Sequence, residues 1–232
     1  PDGLTSVVVV GQAMDHDLVD TVPSALSSAA VGLGYSKDAL VLLATAQWLR
    51  NLGYQAVPSL NDTALAIPLA IQAGLGEYGR HGLVITPEFG PRVRFGKIFT
   101  DAPLDHDAPV EFGVSAFCEV CRRCTDACPP KAIPNGEPSP VKLNRSAIGG
   151  VRKWSVDGEK CFSYWTQIVT DCMICMRVCP YNKDFSRWRH RVGRRLAATG
   201  LRRVMLRLND RLGYGERLRP RAWWAGATRR RS

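Results

Sequence analysis

Cys118-x2-Cys121-x2-Cys124-x3-Cys128-Pro129 opens a stretch that ends in Cys172-x2-Cys175-x3-Cys179-Pro180, with Cys161 between the two runs. All 8 cysteines of the 232-residue chain lie in this window. Two four-iron clusters require four thiolates each, and a close triplet of cysteines can wrap three corners of a compact cubane. The cysteine that precedes proline reaches away and, in two-cluster ferredoxins, ligates the other cluster. The spacing therefore assigns Cys118, Cys121, Cys124 and Cys179 to one [4Fe-4S] cluster, and Cys161, Cys172, Cys175 and Cys128 to the second. Cys161 departs furthest from the rule, because its gap to Cys172 is far longer than the usual two residues. Zinc fits less well, since structural zinc sites pair two C-x2-C knuckles or combine cysteine with histidine, and no histidine falls inside the window. Disulfides suit small secreted scaffolds without a core of their own; here the other residues can build an ordinary core.

The formal net charge of +10 is unevenly placed. Residues 187–232 hold 15 arginines against Asp210 and Glu216, while the rest of the chain is slightly acidic. Such a tail can contact nucleic acid, anionic lipid or an acidic partner, or be a solvated pair of arginine-rich helices, and charge alone leaves these open. No apolar run approaches the roughly 18 residues of a membrane span. Pro1 opens the chain without a methionine or a signal-like segment, which reads as part of a longer protein.

Val7 to Val10 read as a buried strand before Gly11, and residues 15–20 as a polar loop. Residues 23–30 begin a helix that Gly32-Leu33-Gly34 is expected to break. Ser36 then caps a second helix over residues 37–52, closed by Gly53. A short strand over 54–57 ends at Pro58. Asn61-Asp62-Thr63 offers another cap, for a helix over 64–73 in which Pro68 imposes a kink or a late start. Residues 83–86 and 93–100 read as strands joined by a Pro-Glu-Phe-Gly-Pro turn. Residues 101–109 are a polar connection, and 188–199 and 201–212 are two basic helices. The formal dinucleotide fingerprint Gly74-x-Gly76-x-x-Gly79 lacks the preceding strand that would make it meaningful.

The run Gly74-Leu-Gly-Glu-Tyr-Gly-Arg-His-Gly-Leu-Val-Ile-Thr-Pro-Glu-Phe-Gly-Pro-Arg-Val-Arg94, followed by Lys97-Ile-Phe-Thr-Asp101, resembles the corrinoid-dependent reductive dehalogenases. So do the cysteine module and the closing Leu212-Gly213-Tyr214-Gly215. The resemblance covers nearly the whole chain and corresponds to the C-terminal part of such a catalytic subunit. It implies an α+β fold: a nitroreductase-like corrinoid-binding core over 1–112, a ferredoxin-like module with two clusters over 113–186, and a basic helical tail over 187–232. It implies an oxidoreductase in which electrons pass through two [4Fe-4S] clusters to a cobalamin-type corrinoid, whose Co(I) removes halogen from a small organohalide. By position relative to the motifs, the family's proton-donating tyrosine maps to Tyr35, its assisting arginine to Arg94, and a further polar group to Asn61. The expected partners are an electron-donor protein or quinol-linked chain and a small membrane-anchor subunit. The expected place is the outer face of the cytoplasmic membrane, or the cytoplasm for the non-respiratory type. Nucleic acid is not expected.

The residue types suit that chemistry independently. A phenol, with a reference pKa near about 10, is a protonated donor at neutral pH. A guanidinium beside it favours the phenolate left after proton transfer. Taken without the resemblance, each residue has a plainer reading: Tyr35 as a staple before the Ser36 cap, Asn61 as a cap, Arg94 as an outward strand residue. His16, His81, His106 and His190 are scattered and read as structural or surface groups, in keeping with a cobalt that takes no protein side chain. Backbone at Gly74, Gly76 and Gly79 is expected to face the corrinoid, because absent Cβ atoms permit close approach. Two other functions stay open at this point: an epoxyqueuosine reductase-like enzyme acting on tRNA, and a non-catalytic two-cluster electron carrier.

Overall fold

The computed structural model describes residues 3–145 and 147–226. Strand β1 (Ser6–Ala13) holds the valine run, and helices α1 (His16–Asp20) and α2 (Ala25–Asn51) follow. Then come β2 (Ala56–Ser59), α3 (Ala66–Gln72), β3 (Glu77–Tyr78), β4 (Val84–Ile85) and β5 (Val93–Thr100). The second half is helical: α4 (Val114–Cys121), α5 (Arg123–Ala127), α6 (Gly158–Ile168), α7 (Ile174–Arg177), α8 (Trp188–Ala197), α9 (Arg202–Arg211) and α10 (Pro220–Trp224). The architecture is α+β. β5 lies between β1 and β2, antiparallel to both, and β3 pairs with β4 in a separate ribbon. Pro58 is tolerated inside β2 because that strand is at the sheet edge, where a missing donor costs no ladder bond.

α2 is the main departure from expectation. Neither Gly32-Leu33-Gly34 nor Ser36 interrupts it; the helix runs unbroken from the Ser24 capping box to Leu52, with Gly53 beyond it at φ +95°. Ser36, expected as a cap, sits inside the helix and returns its hydroxyl to the Gly32 carbonyl at 2.9 Å. Gly34 is there for space: a Cβ would meet Arg94 Cγ and Met14 Cγ at 3.2 Å each. The buried residues Leu42, Ala46 and Leu49 pack with Ile98, Ala56 and Ala102 against the sheet. Leu33, Leu40, Leu43 and Trp48 remain exposed on the helix. That surface makes α2 long and apolar enough to cross a membrane by length and composition, contrary to the sequence expectation. A core helix passes the same test, and one face of α2 packs on the sheet.

Other boundaries shift for local reasons. The expected loop at 15–20 contains α1, because Asp15 accepts from Leu18 N–H at 2.9 Å and caps it. α3 starts late, after Leu65, which places Pro68 in the first turn where its missing N–H is harmless. β4 joins β3 rather than β5, and the expected turn is closed by Thr86 and Gly90.

Two apolar clusters weld the halves together. Ile85 of β4 packs with Val114, Phe117, Trp154, Tyr181 and Phe185. Met14, Val19, Ala30 and Val31 pack with Met173, Ile174 and Met176. The Glu77 carboxylate accepts the backbone N–H groups of Phe112 and Val114, which anchors the ribbon to the positive end of α4. The tail is also engaged: Arg202 donates to the Ala116 carbonyl at 3.1 Å, Arg194 to Pro87, and Arg123 pairs with Asp210.

Two outcomes test this packing. Gly90 sits at φ +59°, and a Cβ there would collide with the Tyr181 carbonyl. Gly90→Ala is expected to cost about 2 kcal/mol or more in chemical denaturation; an unchanged midpoint would show that this contact yields freely. Asp38 is 1 % exposed, faces Gly96, and has no hydrogen-bond partner for either carboxylate oxygen. Burial pushes its pKa up to about 6, against the opposing charge of Lys97. A carboxyl raised on folding favours the acid form, so its contribution to stability declines as pH rises through about 6. Between pH 5 and 7, Asp38→Asn is expected to abolish that component of the decline; thermal midpoints that fall in parallel for both proteins would refute it.

Candidate active site

The eight thiols, none of them in a disulfide, gather in two groups. Cys179 lies within electrostatic range of Cys118, Cys121 and Cys124. Cys161 neighbours Cys172 and Cys128, and Cys175 neighbours all three of these. Cys175 also senses Cys124, so the two groups adjoin at that pair. Among the described residues no three His, Cys, Asp or Glu side chains close on a single-ion site.

The local chain explains the gathering. α4 and α5 are separated by Arg122 at φ 54°, and this sharp turn wraps Cys118, Cys121 and Cys124 around one space. Arg80, His81, Phe117 and Tyr181 line the same space. Burial, and then the neighbouring thiols, push Cys121 and Cys124 up to about 12; burial pushes Cys118 up to about 11. Cys175 and Cys179 are displaced upward as well, chiefly by burial. Opposing this, backbone N–H groups point at sulfur: Ala132 N lies 3.3 Å from Cys128 Sγ, and Thr125, Ile174 and Tyr181 N–H groups face Cys124, Cys172 and Cys179. Buried thiols with oriented N–H donors suit iron, because coordination deprotonates a thiol outright and hydrogen bonds to sulfur tune the cluster. The donor set thus fits two [4Fe-4S] clusters.

A cavity of about 840 Å³ lies between the halves. Cys161, Cys172 and Cys175 border one side, and Arg94, Leu83, Tyr78 and Met173 border others. Arg94 comes from β5, on the strand face that Gly96 shares with α2, and Gly34 leaves room for its stem. Its Nη1 donates to Tyr35 Oη at 3.4 Å, and its guanidinium carbon lies 4.7 Å from the Tyr35 ring centroid. Asn61, from the exposed loop after β2, donates through Nδ2 to the same oxygen at 3.1 Å. The structure therefore brings Tyr35, Arg94 and Asn61 together, although 59 residues separate the first two. Both bonds run into the phenol oxygen, which leaves its proton available to a third group.

Gly74, Gly76 and Gly79 do not border this cavity. A Cβ at Gly74 would meet the Ala108 carbonyl at 2.7 Å, one at Gly76 the Ile85 carbonyl, and one at Gly79 the His81 ring at 2.7 Å. The close approach they permit in this structure is to protein. Their neighbours Tyr78, His81 and Gly82 border the cavity instead. Tyr78 donates to the Trp154 carbonyl at 3.1 Å, and burial pushes its pKa up to about 12. His81, expected to be structural or at the surface, is buried between the cavity and the first thiol group. Its Nδ1 accepts from Leu83 N–H at 3.2 Å, and burial pushes its pKa down to about 4. Histidine and arginine side by side in a glycine-rich run, Arg80-His81, were the signal available in the sequence.

The pattern of the reductive dehalogenase subunit matches residues 4–104, and that of a 4Fe-4S double cluster binding domain matches residues 117–182. The chain matches part of a reductive dehalogenase. A tetrachloroethene reductive dehalogenase of Sulfurospirillum multivorans is 36% identical over 228 residues, 97% of this chain and 45% of the relative. One from Desulfitobacterium hafniense is 44% identical over 193 residues, 82% of this chain and 35% of the relative. A solved reductive dehalogenase described as performing B12-dependent dehalogenation superposes with a TM-score of 0.81 at 27% identity, over 90% of this chain and 30% of that one. Epoxyqueuosine reductase from Streptococcus thermophilus shares the fold more loosely, with a TM-score of 0.53 at 22% identity, over 76% of this chain and 49% of that one. The chain spans less than half the length of the curated relatives described here.

Cys161 carries the test of the second thiol group. Cys161→Ser is expected to lower bound iron from about eight to about four atoms per chain. Retention of the full complement in an iron assay would exclude Cys161 as a ligand.

Proposed function

We propose that this chain is the cluster-bearing, corrinoid-facing part of a reductive dehalogenase. The observation that carries the reading is one cavity bordered both by the second thiol group and by Arg94, the residue that holds Tyr35. A nitroreductase-like core completes the expected fold. When bound, the corrinoid supplies reducing cobalt able to break a carbon–halogen bond, with electrons delivered through the clusters. The balanced change replaces halogen by hydrogen: two electrons and one proton enter, and a halide leaves.

The chain's own residues handle the proton and the charge. Tyr35 donates its hydroxyl proton to the carbon. Arg94 and Asn61, already bonded to the phenol oxygen, stabilise the phenolate that remains. Leu83, Phe162 and Trp165 give the cavity an apolar side against which a small organohalide can pack. The two thiol groups adjoin at Cys124 and Cys175, and the second borders the cavity, which supports an order in which electrons enter at the first cluster and reach the cavity through the second. The same reading takes a donor protein or quinol-linked chain as the electron source, a small organohalide as substrate, and a small anchor subunit at the outer face of the cytoplasmic membrane.

Tyr35→Phe in the full-length, cofactor-loaded protein is expected to keep iron and cobalt content while lowering halide release about 10²–10⁴-fold. Reduced viologen as donor and a panel of organohalides as substrates provide the assay. Near-normal turnover would remove Tyr35 from the mechanism, and conversion of a tRNA base without halide release would favour the epoxyqueuosine-type activity.

A further inference from the structure

Arg80 is 1 % exposed and stands beside the first thiol group, bordering the space enclosed by Cys118, Cys121, Cys124 and Cys179. Three bonds hold its guanidinium: Nε to the Cys118 carbonyl at 3.0 Å, and Nη1 to the Pro134 and Gly136 carbonyls at 3.0 and 2.9 Å. Its Cζ lies 4.6 Å from the centroid of the Trp154 ring. Nη2 is buried without a hydrogen-bond partner. Among the described residues no carboxylate forms an ion pair with it.

A fully buried cation without a counter-charge is costly and rare. Carbonyl dipoles and an aromatic face offset only part of that cost. Four thiolates around a cubane leave a net negative charge, which grows by one when the cluster is reduced. The charge of Arg80 already acts on Cys118 and Cys124. Resting on the cluster reading above, we propose that Arg80 is the counter-ion of the first cluster, donating Nη2–H to it and raising its reduction potential by favouring the more negative, reduced state. Arg80 touches the cofactor's thiol cage and not the substrate, so it is a positioning and tuning residue. A purely structural role, clamping the Cys118 turn to Pro134 and Gly136, predicts an effect on assembly and none on potential.

The experiment is an EPR-monitored redox titration of the full-length, cluster-loaded protein beside Arg80→Met and Arg80→Lys. About eight iron atoms in the wild type establish the clusters independently; their absence overturns the cluster reading and this inference with it. With iron content matched, Arg80→Met is expected to weaken reduction of one cluster at least tenfold, a fall of about 59 mV for one electron. The other cluster stays unmoved, and Arg80→Lys retains most of the wild-type value. Two unchanged potentials, or equal shifts of both clusters, overturn the proposal. Should Arg80→Met fail to load, pulsed EPR on wild-type protein carrying ¹⁵N-arginine decides the matter. With the label confined to guanidinium nitrogens, a coupling to one reduced cluster that persists in Arg122→Lys and in Arg123→Lys supports Arg80; no coupling overturns it.

Discussion

Each thiol group borrows one cysteine from the other run. Cys179 leaves the downstream motif to join Cys118, Cys121 and Cys124, while Cys128 leaves the upstream motif to join Cys161, Cys172 and Cys175. The two runs are consequently interlocked, and neither group is complete until both ends of the 117–182 segment have met. The long connection between them, which includes Trp154 and α6, folds over that crossing. Its residues supply a wall to the large cavity, and Trp154 packs on Arg80 beside the first thiol space. Loop closure over such a length is entropically expensive. The apolar cluster of Val114, Phe117, Trp154 and Tyr181 provides the burial that offsets it.

The other half of the site depends on close approach between α2 and β5. Gly34 on the helix and Gly96 on the strand remove Cβ atoms where the two elements meet, so that Arg94, Asp38 and Leu42 share a narrow layer. Arg94 then lies across the face of Tyr35 instead of pointing outward, as alternation along an isolated strand had suggested. Cation–π contact and hydrogen bonding act on the same pair of side chains. The phenol is thereby held in one orientation while its proton remains uncommitted.

Much of this was readable from residue order. The eight-cysteine spacing names two sets of thiols, and the valine run, Gly53 and the 93–100 alternation mark elements that form as expected. What failed did so for identifiable reasons. Glycines inside α2 resemble breakers to a local rule, but tertiary contact uses Gly34 as a space and the helix continues. Residues 15–20 look like a loop to composition, whereas the Asp15 side chain caps a short helix there. Periodicity reports faces and not partners. Hence Arg80, whose importance comes entirely from what surrounds it after folding, carries no local mark beyond its place beside His81.

The short β3–β4 ribbon touches everything. Glu77 grips the start of α4, Arg80 reaches the first thiol group, Tyr78 and Leu83 border the large cavity, and Ile85 is fixed in the core beneath. These roles are spaced a few residues apart along one continuous piece of backbone. An inserted residue would shift Arg80 and Tyr78 against Glu77 and Ile85, so the helix start, the first thiol group, the cavity wall and the core are tied together through the length of one ribbon.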